Sequence, residues 1–362
     1  MQARLDAIGN AVGRYEGESP GRPCLMLGSH LDTVRDAGRY DGMLGVVTAI
    51  ECVASLSAQG KRLPFAIEVV GFGDEEGVRF GTTLLGSRAL AGTLDARVLE
   101  SKDAQGVSIA QALRDFGLNP EEIRSIRRKR GEVLAYVELH IEQGPVLEAE
   151  DLPVGVVSAI NGFSRLRVTL RGEAGHAGTV PMTLRRDALA AAAECVLALE
   201  RLAQAQPDVV GTVGRIEARP GAIKVIPGEV QFTVDLRAPV DATREQAAAA
   251  VRADIARISK KRRVLFEVET LQELGSSACA PELMAQLERA VSAEGVRVLR
   301  LPSGAGHDGM AMKAIADIAM LFVRCKGGIS HNPAESIREE DAGIGAAILY
   351  RFMHEFRPRV SA

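Results

Sequence analysis

Six histidines are spread through the 362-residue chain. Five of them, His30, His140, His176, His307 and His331, sit in glycine- and acid-rich segments. A histidine that merely fills a core is expected on a periodic apolar face, so this bias points to chemistry. The first segment is Gly28-Ser29-His30-Leu31-Asp32. Residues two apart in an extended chain share a side, which places Asp32 to hold one ring nitrogen of His30 and leave the other for a metal ion. Asp41 follows, in Tyr40-Asp41-Gly42 ahead of a helical stretch. Alone it reads as an N-cap, but near a His-x-Asp its two oxygens suit it to bridge two divalent ions. Gly73-Asp74-Glu75-Glu76-Gly77 sets three carboxylates side by side, an arrangement that needs water or cations around it. The remaining segments are Glu138-Leu139-His140-Ile141-Glu142-Gln143-Gly144-Pro145, Gly175-His176-Ala177-Gly178, Ser303-Gly304-Ala305-Gly306-His307-Asp308-Gly309 and Gly328-Ile329-Ser330-His331-Asn332-Pro333. Together they offer three imidazoles and two carboxylates, a donor set for Zn²⁺ or Mn²⁺ that needs no thiolate. His307 reads equally as a substrate contact or as a loop histidine bonded to backbone. His354 has no assigned role.

Strands must deliver these groups. Residues 23–29 and 65–72 are short apolar runs that read as buried strands, and residues 44–58 between them have helical periodicity. Strand, helix, strand in that order announces an α/β layer, whose ligand sites lie beyond the strand C-termini. Residues 132–141 read as a further strand. The stretch 95–130 is more polar and ends in the basic run RSIRRKR, read as a solvated surface. The middle of the chain changes style. Strands at 163–170, 209–217, 225–236 and 263–270 and helices at 184–205 and 242–260 give the order β-α-β-β-α-β, a ferredoxin-like arrangement. From Pro281 the α/β pattern resumes, with a strand at 319–323 and a helix at 341–356. The expectation is a two-piece α/β catalytic domain, residues 1–160 and 272–362, interrupted by a ferredoxin-like lid or dimerisation domain at 161–271.

Composition narrows the function. Hydrophobic residues make up 46% and charged residues 25%, with a net charge of −3, so no basic surplus exists to neutralise nucleic acid. The apolar runs fall short of a membrane span and no leader opens the chain, which reads as cytoplasmic. The five cysteines form no CxxC pair and read as reduced, buried thiols.

Taken in order and spacing, the motifs resemble the M20 metallopeptidase clan, in its hydantoinase/carbamoylase branch of allantoate amidohydrolases and N-carbamoyl-L-amino acid hydrolases. The resemblance runs from Asp6-Ala7-Ile8-Gly9-Asn10 to the C-terminal helix. It implies two divalent metal ions per subunit, zinc or manganese, bridged by Asp41. His30 and His140 complete one site, and Glu76 and His331 the other. Glu75 is implied as general base, Asp32 as the orienter of His30, and His176 as a lid histidine that reaches the partner subunit's site in a homodimer. Gln143, Lys224 and Arg237 are implied to hold a small ureido or carbamoyl substrate carrying a carboxylate. The implied reaction hydrolyses a ureido or N-carbamoyl C–N bond and releases ammonia and carbon dioxide. The nearest alternative is a peptidase or aminoacylase of the same clan, against which His140 and the ELHIEQGP segment argue. A non-catalytic metal-binding relative is the other, although every ligand and the base are present. Two departures stand out. Family members open with some tens of residues of helix ahead of the part matching Asp6, which implies a truncated or displaced start here. Lys224 stands where an asparagine is usual before Ile226-Pro227-Gly228, offering a flexible point charge in place of an amide dipole.

Overall fold

The computed structural model describes residues 1–359. The chain forms two compact units, Met1–Ile160 with Ala278–Ala362, and Asn161–Ser277. The first opens with β1 (Gln2–Leu5) and β2 (Ala11–Tyr15), an antiparallel pair. Its turn is held by the buried Asp6 carboxylate, which accepts from the Ile8 and Asn10 backbone N–H groups and the Asn10 amide. Next come β3 (Cys24–His30), β4 (Ala66–Phe72), β5 (Val133–Ile141) and β6 (Val154–Ile160).

Every residue of β3 and β4 is buried. That is the pattern of parallel strands covered on both faces, and it explains the unbroken apolar runs in the sequence. The helix Met43–Ala58 links β3 to β4 and packs on both and on β5. Helices Glu339–Glu355 and Pro281–Ala293 extend the same packing. In strands so thoroughly buried, a polar side chain is costly unless it is paired. The exceptions, Ser29, His30, Glu68, Glu138 and His140, are therefore informative.

The second unit holds β7 (Gly162–Arg171), β8 (Gly175–His176), β9 (Val210–Thr212), β10 (Ile216–Arg219), β11 (Val225–Ile226), β12 (Glu229–Ala238) and β13 (Leu265–Leu274). Its main sheet runs β10-β12-β7-β13, with β9 also on β12. Burial alternates residue by residue along β12, as expected of a sheet with one covered face. Helices Ala188–Gln204 and Asp241–Arg262 cover that face, packing Ala191, Cys195, Ala198, Val251 and Ile255 on Leu166, Val168, Phe232 and Val234. The single strand read at 225–236 divides at Pro227-Gly228: β11 pairs with β8, whereas β12 pairs with β7. Proline lacks the N–H that a continuous ladder needs. β13 runs four residues past the expected end at 270, and the unit closes at Ser277.

The first unit resumes at Ala278, the second residue of β14 (Ser277–Ala278), and continues with β15 (Arg300–Ser303) and β16 (Ile318–Val323). The large sheet then runs β1-β2-β4-β3-β5-β16-β6-β14, with β15 on β6. Strands β4, β3, β5 and β16 are mutually parallel. Their C-terminal ends therefore share one edge of the sheet, and His30, His140 and the turn after Phe72 lie there. All five cysteines are free and buried. No described helix is long and apolar enough to cross a membrane.

Candidate metal centre

His30 is the last residue of β3, and His140 is the eighth residue of β5. Both rings are buried. Each is fixed through Nδ1 by a main-chain carbonyl: His30 by Asp32 O at 2.7 Å, His140 by Ile141 O at 2.8 Å. A carbonyl can only accept, so each Nδ1 carries hydrogen and each Nε2 is turned to the other side. There the two Nε2 atoms are 3.3 Å apart, and Asp41 Oδ1 lies 3.6 Å from the first and 3.1 Å from the second. Asp41 does not cap the helix behind it. The helix begins at Met43 with Gly42 at the cap position and no side-chain cap bond. Gly42 has φ +72°, and a Cβ there would meet the His30 ring. Only glycine brings the chain this close to the imidazole.

The other oxygen of Asp41 faces a different pair. Asp41 Oδ2 lies 3.1 Å from His331 Nε2, which is itself 3.1 Å from Glu76 Oε1. Two groups of potential ligands, His30–Asp41–His140 and Asp41–Glu76–His331, thus share Asp41 through separate oxygens. Gln143 joins them: its Nε2 donates to Asp41 Oδ2 and to Ser330 Oγ, both at 3.1 Å. Asp74, Gln143 and His331 all have positive φ, between 54° and 57°. Left-handed backbone at non-glycine residues costs about 1–3 kcal/mol each and gathers where function requires it.

The electrostatics fit cations. Burial would raise the Asp41 carboxyl, yet the hydrogen bonds of His140, His30 and His331 hold it far below its ordinary value. Burial pulls His30 down, but Asp41, Glu75 and Asp308 outweigh it and raise it well above 6.5. Asp41 and Glu76 raise His331 to about 10. Protons are drawn onto imidazoles here because the cluster calls for positive charge. With borderline nitrogen and oxygen donors, divalent ions such as zinc or manganese satisfy the same demand.

Glu75 stands beside this centre. Burial, then the Asp308 carboxylate and those of Glu76 and Glu138, push its carboxyl well above the ordinary range against the pull of His30. Asp32 corrects an expectation. Its carboxylate does not meet the His30 ring; it accepts the backbone N–H groups of Glu75 and Glu76 at 3.0 and 3.1 Å and fixes their turn. The main-chain carbonyl of Asp32 is what orients the imidazole, because the chain bends after β3 and turns the side chain toward the neighbouring loop. His307 is likewise not an open contact. Its buried ring packs edge-on against His140 at 4.5 Å, and its Nε2 meets Ser303 Oγ at 2.7 Å. Burial, then His140 and His30, hold it well below 6.5 and hence neutral. Arg79 pairs with Asp103 at 2.9 Å and not with Asp74 or Glu75.

The sequence profile described as peptidase family M20/M25/M40 matches residues 26–355, which span every ligand above. The chain belongs to this family. Among M20 relatives, it is 46% identical to an N-carbamoyl-L-amino acid amidohydrolase of Geobacillus stearothermophilus, over 95% of this chain and 84% of that one. It is 42% identical to allantoate deiminase 1 of Glycine max, over 98% and 80%. A crystal structure of a hydantoinase/carbamoylase family amidase from Burkholderia multivorans superposes with a TM-score of 0.92 at 34% identity, over 97% and 85%. The hydantoinase/carbamoylase branch is thus the right one, and this M20 chain is a hydrolase of C–N bonds outside peptides.

The other three expected site residues of the M20 chain lie in the second unit. His176 and Lys224 are neighbours, because Val225 pairs with His176 and Ala177 N donates to Lys224 O. His176 is exposed, and its Nδ1 accepts the Gly178 N–H at 3.0 Å. A neutral ring then carries its proton on Nε2 as a free donor. Arg237, on β12, forms a two-pronged pair with Asp235, at 2.8 and 3.1 Å. Sequence reasoning missed Glu335 and gave Glu138, Asp308 and Ser330 no role. All but Ser330 are buried carboxyls. Glu138 accepts from Ser29 and Tyr136, beneath His30 and His140. A buried, largely apolar strand carrying a glutamate two residues before its histidine was the available signal.

Proposed function

We propose that this enzyme hydrolyses a ureido or N-carbamoyl C–N bond in a small substrate carrying a carboxylate, releasing ammonia and carbon dioxide, with two divalent ions held between Asp41 and its two pairs of partners. One observation carries the reading: the two oxygens of a single buried aspartate face separate ligand sets. Zinc or manganese bound there supplies Lewis acidity, polarising the carbonyl and acidifying the attacking water.

Glu75 takes the proton of that water as its oxygen bonds to the carbamoyl carbon. It passes the proton to the departing nitrogen as the C–N bond breaks, and the carbamate that remains loses carbon dioxide to leave an amine. The raised carboxyl of Glu75 suits a group that must hold a proton between the two events. His176 offers its Nε2–H to the developing oxyanion, an interaction worth about 3 kcal/mol for one good donor. In this reading the second unit is a ferredoxin-like lid that dimerises and lends His176 to the partner subunit. Gln143, Lys224 and Arg237 grip the substrate. The names of the relatives, an N-carbamoyl amino acid amidohydrolase and an allantoate deiminase, favour those two substrate types.

The test is an ammonia-release assay on chelator-stripped protein restored with zinc or manganese. Its substrates are allantoate, N-carbamoyl-L-amino acids and 3-ureidopropionate, with a dipeptide and an N-acetyl amino acid in parallel. Release of ammonia that depends on added metal supports the proposal. Cleavage of the dipeptide or the acetyl substrate alone sinks it.

A further inference from the structure

The two loops that carry Asp41 and His331 are far apart in sequence, yet one carboxylate touches both. Glu335 is buried. Its Oε1 accepts the backbone N–H of Tyr40 at 2.9 Å and of Asp41 at 3.2 Å, and its Oε2 accepts the Ser330 hydroxyl at 2.9 Å. Ser330 in turn accepts the Gln143 amide at 3.1 Å. The chain is shaped to admit this side chain: at Gly38 any Cβ would collide with the Glu335 side chain. On the other side, the loop bearing Glu335 is tied by Glu335 N to Asn332 O and by Ala334 N to Asn332 Oδ1. Every oxygen of Glu335 is thus engaged by main chain or hydroxyl.

We infer that Glu335 is a positioning residue that locks the Asp41 loop, the Ser330–His331 loop and Gln143 into one register, and so sets the affinity of the Asp41–Glu76–His331 site for its ion. The inference rests on the two-ion reading above. The dependence is unequal between the sites. His30 and His140 stand on strands and are held by their own carbonyl contacts, whereas His331 is on an exposed loop in a left-handed conformation. Removing Glu335 leaves His30 and His140 in place and loosens the His331 loop together with the shared Asp41. The requirement is for acceptor geometry and not for charge, because both N–H donors need only an oxygen.

The experiment titrates chelator-stripped protein with cobalt(II) chloride and follows its absorption, for wild type, Glu335→Gln, Glu335→Ala and Ser330→Ala. Wild type takes up two ions per chain. In Glu335→Ala the weaker ion loses about 10–100-fold in affinity, the range found when a group supporting a ligand is removed, while the tighter ion loses less, because Asp41 is shared but His30 and His140 stay fixed. Glu335→Gln stays within about threefold of wild type, because its amide oxygen accepts the same two N–H groups. Ser330→Ala, which leaves the Tyr40 and Asp41 bonds intact, weakens the same ion and covers the case in which Glu335→Ala fails to fold. Amide exchange at Tyr40 and Asp41 in metal-free protein reads the lock directly: faster in Glu335→Ala, unchanged in Glu335→Gln. Wild-type affinity for both ions in Glu335→Ala overturns the inference, as does a Glu335→Gln protein that behaves like Glu335→Ala. A wild-type chain that binds fewer than two ions sinks the two-ion reading, while the exchange rates still decide whether Glu335 locks the loops.

Discussion

The Nε2 atoms of His30 and His140 stand 3.3 Å apart, each ring pinned from behind through Nδ1 by a backbone carbonyl. Two imidazoles so held cannot rotate away from each other, and Asp41 faces both. With Glu76 and His331 on the other oxygen of Asp41, the cluster attracts either protons or metal ions.

That competition fixes a pH dependence. In the metal-free protein His331 is raised from 6.5 to about 10. A raised histidine stabilises the fold fully below its unfolded value and loses that contribution as pH climbs through its folded value, here from about 6.5 to about 10. Metal binding expels the same proton, so affinity must rise across this window, by at most about tenfold per pH unit for each proton displaced. Chelator competition with zinc at pH 7, 8 and 9 checks it; a flat or falling affinity rejects the protonated cluster.

Glu75 is assigned proton transfer and not metal binding. Glu75→Gln should retain its metal content and melting temperature and lose about 10²–10⁴-fold in kcat, the usual worth of a general base. Steady-state ammonia release beside elemental analysis of the same preparation measures both. Turnover near wild type removes Glu75 from the role.

Much of this site was legible because its ligands sit where buried strands end. The apolar runs ending at His30 and Phe72 mark parallel strands, and the His and Glu motifs follow them directly. What sequence could not show was which atom does the work. His30-x-Asp32 suggested a carboxylate behind the imidazole; the main-chain carbonyl of the same aspartate fills that place, and the carboxylate holds the Glu75-Glu76 turn. His307 gave no sign of its burial, since glycines surround it. Glu335 was invisible for a different reason: its backbone partners, Tyr40 and Asp41, lie 295 and 294 residues away, and no local periodicity encodes such a pairing. The basic run 124–130 is a solvated surface for the most part, as its composition suggested, with one long-range exception. Arg128 reaches back to a buried carboxylate in β4.

That carboxylate yields a stability prediction. Glu68 is buried between Arg128, which contacts both of its oxygens at 2.8 and 3.0 Å, and Arg14 at 3.1 Å. Removing one partner of a buried ion pair costs about 3–5 kcal/mol, and the partial exposure of both arginines places Glu68→Ala near the lower end. Urea unfolding should show the loss, with kcat at low temperature unchanged because Glu68 belongs to no ligand group. A loss below about 1 kcal/mol would show the arginines to be adequately solvated alone.

His176 decides whether the site is shared between subunits. Its Nδ1 is occupied by the Gly178 N–H, which leaves an exposed Nε2–H as the donor it can offer an oxyanion. If that donor acts in the partner subunit, His176→Ala and Glu75→Gln proteins, each nearly inactive alone, complement each other when mixed. A hybrid dimer then contains one site with an intact Glu75 and the other subunit's intact His176, while its second site lacks both. With equal amounts and random pairing, half the dimers are hybrids and each has one working site, so roughly a quarter of wild-type turnover returns. A site completed within one subunit gains nothing from mixing, since every site keeps one defect. The measurement is ammonia release after subunit exchange verified by mass-tagged chains, and activity that stays at the level of the separate variants places His176 in its own subunit's site or in none.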